Sequence, residues 1–505
     1  MSGKPVKTRA ATEYGDFQTP YELATLSMDL LVRLGIKPRS ILEPTCGRGS
    51  FLAAASEAFP DVSTVVGIDI NPEYVAATRD RFATTDSRIR LIHGDFFKLD
   101  WREIIRRGAS PWLIVGNPPW VTNAQLGSIA SDNLPEKVNS QGLSGIEAIT
   151  GKSNFDISEW MILRYLEWLR DTSGTVAVLC KTTVARKILA HAWKTKAPLV
   201  RAAIYKINAF KHFNAAVDAC FFVFELGPHG EALHCDTFQD INAPLATHRI
   251  GYLDGHLIPD VLTFNRNRQV LGHDAHYTWR SGIKHDCSKV MELEDTVAGH
   301  RNGLGEFPQL ENARLYPLLK SSDIGNGRSI CRNLMLVPQR SVGEDTSCLQ
   351  ASAPRTWDYL NRHAALLNRR GSVIYKNRPA FSIFGVGPYT FAPWKVAVSG
   401  FYKALTFIKV GPRDGKPVVF DDTIYFLSCW SADEAAFIES LLQSDLAQSF
   451  LGSMIHWDEK RPITVSILKR LSIEKLSSAL GREKEYQAFI GSRQSAMITE
   501  PICVT

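Results

Sequence analysis

No stretch of this 505-residue chain approaches the roughly 18 consecutive apolar residues that a membrane-spanning helix requires. Residues 1–11 lack the apolar core of an export signal, so the expectation is a cytoplasmic protein with no membrane partner. Cysteine is sparse: nine residues, at 46, 180, 220, 235, 287, 331, 348, 429 and 503, form no Cys-x-x-Cys pair and no Cys/His group at zinc-ligand spacing. They read as reduced thiols, with no metal expected. Internal repeats, heptads and low-complexity tracts are missing, which argues against repeat and coiled-coil architectures. Excess charge is slight, 58 Lys plus Arg against 52 Asp plus Glu, a formal net charge of +6. So mild a surplus does not identify a polyanionic partner; only its distribution can.

What remains is a globular composition, 45% hydrophobic and 22% charged, long enough for two or three domains. From Ser40 to about Leu226, short apolar runs alternate with helical patterns, the rhythm of a mainly parallel sheet wrapped by helices. The pattern predicts strands over residues 40–42, 64–68, 89–92, 112–115, 175–179, 202–207 and 219–225, and helices over 21–34, 50–58, 72–82 and 158–170. Ser158 is the expected N-cap of the last helix, with Met161, Leu163, Tyr165, Leu166 and Leu169 on its buried face. After Leu226 the alternation fades into Gly227-Pro228-His229-Gly230, which divides the chain into domains of residues 1–228 and 229–505. Residues 122–153, rich in Asn, Ser and Gly, read as a long functional loop.

The segment Ile41-Leu42-Glu43-Pro44-Thr45-Cys46-Gly47-Arg48-Gly49-Ser50-Phe51-Leu52 is an apolar strand, a glycine turn and a helix start. Gly47 and Gly49 let backbone approach a ligand, and the helix start offers N–H groups. A glycine turn alone is equally often a packing device. It is followed, however, by a strand ending in Asp69, suited to ribose hydroxyls, and by a strand ending in Gly94-Asp95-Phe96. There Asp95 can accept from an adenine amino group while Ile70 and Phe96 sandwich the ring. Glu43 and Pro44 would crowd a pyrophosphate, so an adenosine cofactor without phosphate fits better than a dinucleotide.

A fourth strand leads into Gly116-Asn117-Pro118-Pro119-Trp120, an elbow in which two prolines fix φ. The Asn117 side-chain oxygen and the Pro118 carbonyl can both accept from one NH2 group and aim its lone pair at an electrophilic methyl. Trp120 is either a core residue or a stacking face for a planar base, worth roughly 1–3 kcal/mol per base.

Taken in order, Tyr14-Gly15-Asp16-Phe17-Gln18-Thr19-Pro20, Glu43 to Gly49, Asp69, Asp95 and Asn117 to Trp120 resemble the S-adenosylmethionine-dependent N6-adenine DNA methyltransferases of the gamma arrangement. The resemblance implies an α/β fold: a Rossmann-like class I methyltransferase sheet followed by a mixed α/β target-recognition domain. It implies that Thr19 and Glu43 hold the methionine part of S-adenosylmethionine, with Pro44, Gly47 and Gly49 around them. Asp69 would serve the ribose, and Asp95 and Phe96, with Ile70 across the ring, the adenine. Asn117, Pro118, Pro119 and Trp120 would be catalytic, and Phe213, in Phe213-Asn214-Ala215-Ala216-Val217-Asp218-Ala219-Cys220, would stack on a flipped base beside Trp120. The family elbow more often ends in Tyr or Phe. Related elbows also serve glutamine, ribosomal RNA guanine and cytosine N4, the last more often with Ser at position 117.

Two basic segments bear on the partner. Residues 181–212 hold eight Lys or Arg (181, 186, 187, 194, 196, 201, 206 and 211) and no acid, and read equally as a solvated face or a phosphate-facing one. Residues 359–413 hold nine Lys or Arg, ten Tyr, Phe or Trp, and no acid, the mixture a surface facing double-stranded DNA calls for. Within the latter, residues 381–395 resemble recognition domains of the same family. Arg301, Arg340, Asn377 and Arg378 are candidate base readers. No nuclease motif is evident, so cleavage would belong to a separate restriction endonuclease. A different class of reading, a DNA-specificity subunit with a vestigial methyltransferase half, is disfavoured by the intact Asn117-Pro118-Pro119.

Overall fold

The computed structural model describes residues 18–82, 86–121 and 156–499. The Gly15-Asp16 part of the first motif and the expected loop at 122–153 lie outside them. The chain forms two compact units, Met1–Leu262 and Thr263–Thr505. In the first, ten strands make one sheet: β1 Ser40–Glu43, β2 Thr64–Asp69, β3 Ile89–His93, β4 Trp112–Gly116, β5 Gly174–Lys181, β6 Leu199–Ile207, β7 Ala219–Leu226, β8 His234–Phe238, β9 His248–Leu253 and β10 His256–Ile258. Their order is β10-β9-β8-β6-β7-β5-β4-β1-β2-β3. Strands β3, β2, β1, β4 and β5 pair in parallel, and β7 runs antiparallel between β5 and β6. This is the expected Rossmann-like methyltransferase sheet.

Strand alternation explains why both faces are covered. On β4, Leu113 and Val115 point into one core with the helices Tyr21–Arg33 and Ser50–Ala58, while Trp112 and Ile114 point into another with Trp101–Arg107, Ile157–Trp168 and Thr182–Lys194. β5 divides in the same way, Ala177 and Leu179 against Val176, Val178 and Cys180. Period-2 patterns that are apolar on both faces can only be central strands.

Two local expectations need correction. The helix Ile157–Trp168 is capped by Asp156, whose carboxylate accepts from the Ser158 N–H at 3.1 Å and from its hydroxyl at 2.5 Å. Ser158 therefore sits inside the helix, because the Asp156 carboxylate two residues earlier accepts its otherwise orphan N–H. The domain boundary falls after Leu262 instead of Pro228. β8 pairs in parallel with β6, and β9 and β10 follow antiparallel, so this stretch continues the first sheet where β6 would otherwise be an open edge.

The second unit is mixed α/β. Its sheets are β11 (Arg280–Ser281), β19 (Ile424–Cys429), β16 (Trp394–Ser399) and β17 (Ile408–Val410), and β13 (Gly299–Asn302), β12 (Glu292–Thr296), β15 (Asn333–Leu336), β14 (Leu315–Leu319) and β18 (Val419–Phe420), each in that spatial order. The acid-free stretch 359–413 divides between core and surface. Tyr359, Phe381 and Phe407 are buried, and the Lys395 ammonium is buried beneath β16, donating to the carbonyls of Ala392 (2.7 Å) and Val418 (2.9 Å). Arg362, Arg369, Lys376, Arg378 and Lys403 are exposed. Arg301 is paired with Glu294 at 2.5 Å, Arg340 lies over the Phe391 ring and Arg378 over Phe384.

Candidate active site

The order of β1 and β4 reverses the direction in which the sheet is built, and a crevice opens at such a switch point beyond the carboxyl ends of the strands. Here β1 ends in Glu43, β2 in Asp69, β3 leads to Asp95 and β4 to Asn117. A cavity of about 300 Å³ lies across these ends. Thr19, Glu43, Pro44, Gly47, Asp69, Ile70, Asp95, Phe96, Asn117 and Pro119 line it. Of the expected cofactor residues, only Gly49 is not on the wall: at φ +74° it turns the chain into the helix Ser50–Ala58, and a Cβ there would meet Thr78 at 2.7 Å.

Backbone amides brace the acidic ends. Asp69 accepts from the N–H of Gly47 at 2.7 Å and of Asn71 at 2.8 Å, and Glu43 accepts from Leu52 N–H at 3.1 Å. Burial pushes the Glu43 carboxyl well above its ordinary range, against the lowering effect of that amide, with Asp69 adding to the rise. Asp95 accepts from Phe97 N–H at 2.9 Å and pairs with the exposed Lys98 at 3.2 Å. Phe96 packs among Phe97, Trp101, Trp160, Tyr165 and Trp168, which fixes the ring that edges the cavity. Among the described residues, three carboxylates and no Lys or Arg line the cavity. Such a wall suits a cationic adenosine ligand and repels a polyphosphate, so the residues fit S-adenosylmethionine.

The elbow hangs from three anchors. The Trp120 indole N–H donates to Leu179 O at 3.3 Å, the Lys181 ammonium donates to Trp120 O at 3.3 Å, and Ile157 N–H donates to Val121 O at 2.9 Å. Gly116, at φ 154°, lets β4 turn past Glu43, whose Cγ would lie 3.4 Å from a Cβ there. Asn117 and Pro119 face the cavity, whereas Pro118, Trp120 and Phe213 are not on its wall. Trp120 is 6% exposed and meets the 9%-exposed Phe213 edge to face at 5.2 Å. The two rings are thus brought together, behind the elbow in the core that also holds Leu179.

Several lining residues escaped the sequence reading. Gln18, whose side chain accepts from Arg48 N–H at 3.1 Å, stands beside Thr19. Ile157 and Met161, four apart on a helix, form an apolar wall. Met161 was legible only as part of a buried helix face, and Ile157 lay before the expected start of that helix. The basic run 181–212 is also partly internal: Lys181 pairs with Asp156 (2.5 Å), Lys187 with Glu159 (2.6 Å) and Arg201 with Glu225 (2.8 Å), while Arg186 is buried. Lys194, Lys196, Lys206 and Lys211 are exposed.

Residues 41–104 match the family described as a methyltransferase domain. Over 470 residues the chain is 44% identical to the type II methyltransferase M.NspV of Nostoc sp., covering 93% of this chain and 98% of that protein. It is 30% identical over 120 residues to the type II methyltransferase M.CvrRI of Paramecium bursaria Chlorella virus XZ-6E, 24% of this chain and 28% of that one. Among solved structures, the type IIL restriction-modification enzyme MmeI in complex with DNA superposes with a TM-score of 0.51 at 12% identity, over 89% of this chain and 64% of that one, a likeness of fold. Near-complete coverage at 44% identity, with the methyltransferase sheet beneath it, decides the matter: this chain belongs to the type II methyltransferase family, is a DNA methyltransferase, and by that membership takes S-adenosylmethionine as its methyl donor.

Proposed function

We propose that the enzyme methylates adenine N6 in duplex DNA at a specific sequence, after flipping the target base out of the helix, within a restriction-modification or related defence system. The observation that carries this reading is Asn117 and Pro119 in the same cavity as Glu43, Asp69 and Asp95. A rigid pair of acceptors, Asn117 Oδ1 and the Pro118 carbonyl, draws the amino group's lone pair out of conjugation. S-adenosylmethionine supplies the electrophilic methyl. Asp69 holds ribose hydroxyls, Asp95 the adenine amino group with Ile70 and Phe96 against its ring, and Thr19 and Glu43 the methionine portion. Trp120 and Phe213 back the base pocket; with both rings buried, stacking a base on either requires their packing to open. Catalysis then resides in the unit Met1–Leu262 and sequence reading in Thr263–Thr505, while cleavage falls to a separate endonuclease.

Incubation with methyl-labelled S-adenosylmethionine and duplex DNA, followed by nucleoside analysis, tests the reading. The expected product is N6-methyladenine, and Asn117→Ala abolishes it while DNA binding persists. Label in N4-methylcytosine moves the acceptor; label only in RNA or protein overturns the proposal.

A further inference from the structure

Lys181 ends β5, at the point where the sheet meets the elbow. Its ammonium donates to Trp120 O at 3.3 Å and to Asp156 Oδ2 at 2.5 Å, and it is 23% exposed while the Asp156 side chain is 8% exposed. Asp156 in turn caps the helix Ile157–Trp168, and that helix places Ile157 and Met161 on the cavity wall. One charge therefore joins three things: the last peptide of the Asn-Pro-Pro-Trp elbow, the start of a cavity-lining helix, and the end of the central strand. The adjoining bond from Ile157 N–H to Val121 O closes the same junction from the other side.

Such an arrangement has a chemical consequence. Pro118 and Pro119 each have φ fixed by a ring, so the elbow has few soft torsions. With the Trp120 carbonyl tethered, the freedom left to the Pro118 carbonyl and to Asn117 is small. An elbow untied at that carbonyl would pivot about Gly116, the glycine at its base. A displacement of about 1 Å at reacting atoms costs on the order of a hundredfold in rate. A lysine that merely paired with Asp156 for stability would have no need to reach the Trp120 carbonyl as well.

We infer that Lys181 is a positioning residue for methyl transfer: its bond to the Trp120 carbonyl, with Asp156 as counter-ion, holds the acceptor carbonyls of the elbow in register with the methyl donor. The inference rests on the reading of Asn117–Trp120 as the amino-group site. Asn117→Ala is measured alongside; transfer surviving in that variant overturns that reading, whatever Lys181 does.

The test compares Lys181→Met, Lys181→Arg, Asp156→Asn and the double variant Lys181→Met/Asp156→Asn, each checked for melting temperature. Single-turnover methyl transfer to duplex DNA and S-adenosylmethionine affinity by calorimetry are the readouts. Lys181→Met is expected to slow the single-turnover rate roughly ten- to a hundredfold, with donor affinity and DNA affinity within about threefold of wild type. Lys181→Arg, which keeps a cation and its donors, recovers most of the rate. Asp156→Asn, which keeps the lysine and a capping acceptor, loses little. The double variant leaves no unpaired buried charge and stays folded, yet remains as slow as Lys181→Met. A double variant with wild-type rate, or a Lys181→Met variant whose rate loss is matched by an equal loss of donor affinity, overturns the inference.

Discussion

The Asp69 carboxylate accepts the Gly47 N–H at 2.7 Å, tying the end of β2 to the glycine turn that follows β1. The same carboxylate accepts from Asn71 N–H, so one side chain shapes the two loops between which an adenosine would lie. Asp69→Ala therefore removes the proposed ribose contact and the brace of the loop together, orphaning two N–H groups at about 1–3 kcal/mol each. Asp69→Asn keeps one acceptor oxygen. Calorimetric affinity for S-adenosylmethionine is expected to fall in the order wild type, Asn, Ala. Equal affinities for the two variants would mean that the brace does not contribute.

Glu43 predicts a pH dependence. Burial raises its folded pKa above the ordinary 4.5, so the neutral form is favoured more in the folded protein than in the unfolded chain. A raised pKa gives stability that is complete below the unfolded value and is lost as pH rises towards the folded one. Glu43→Gln is then as stable as wild type near pH 4 and more stable at about pH 8, while its donor affinity is lower because the carboxylate no longer faces a cation. Scanning calorimetry across that range checks the sign. A wild type that outlasts the variant at the alkaline end contradicts it.

Trp120, proposed to back the base pocket, is a packed residue. Trp120→Ala is expected to cost about 3–5 kcal/mol of stability from cavity formation next to Phe213 and Leu179, whereas Trp120→Phe keeps the fold with a smaller loss. Urea unfolding distinguishes them. An alanine variant of full stability that only fails to extrude the base would place the indole in the substrate pocket.

The exposed and buried cations of residues 359–413 should separate in their response to salt. Arg369→Ala, Lys376→Ala and Arg378→Ala are each expected to reduce the slope of log affinity against log salt by about 1 if they neutralise one phosphate. Lys395→Met is expected to leave the slope unchanged, because that ammonium is buried against the Ala392 and Val418 carbonyls. Burial also holds its pKa down, to about 7. Filter binding at several salt concentrations checks both.

The sheet and its acidic strand ends were legible in the sequence because they are written locally. Short apolar runs mark β1, β4 and β5, a glycine turn follows Glu43, Asp69 ends its strand and Asp95 stands two positions after its own. Each feature depends on residues within a few positions of itself, and the elbow at Asn117 is set by prolines beside it. The fates of the cations and aromatics were not legible, because each depends on a neighbour distant in sequence. Lys181 meets Asp156 across 25 positions and Lys187 meets Glu159 across 28. Trp120 meets Phe213 from another strand connection altogether. The boundary at Leu262 is of the same kind, since β8 joins the first unit by pairing with β6 and carries no mark of that in its own residues. The sequence by itself determined which acidic strand ends and which elbow acceptors line one cavity's proposed adenosine and amino-group site. Tertiary structure decided which charges and rings were spent on holding them still, because burial and pairing are properties of the folded neighbourhood and not of the residue.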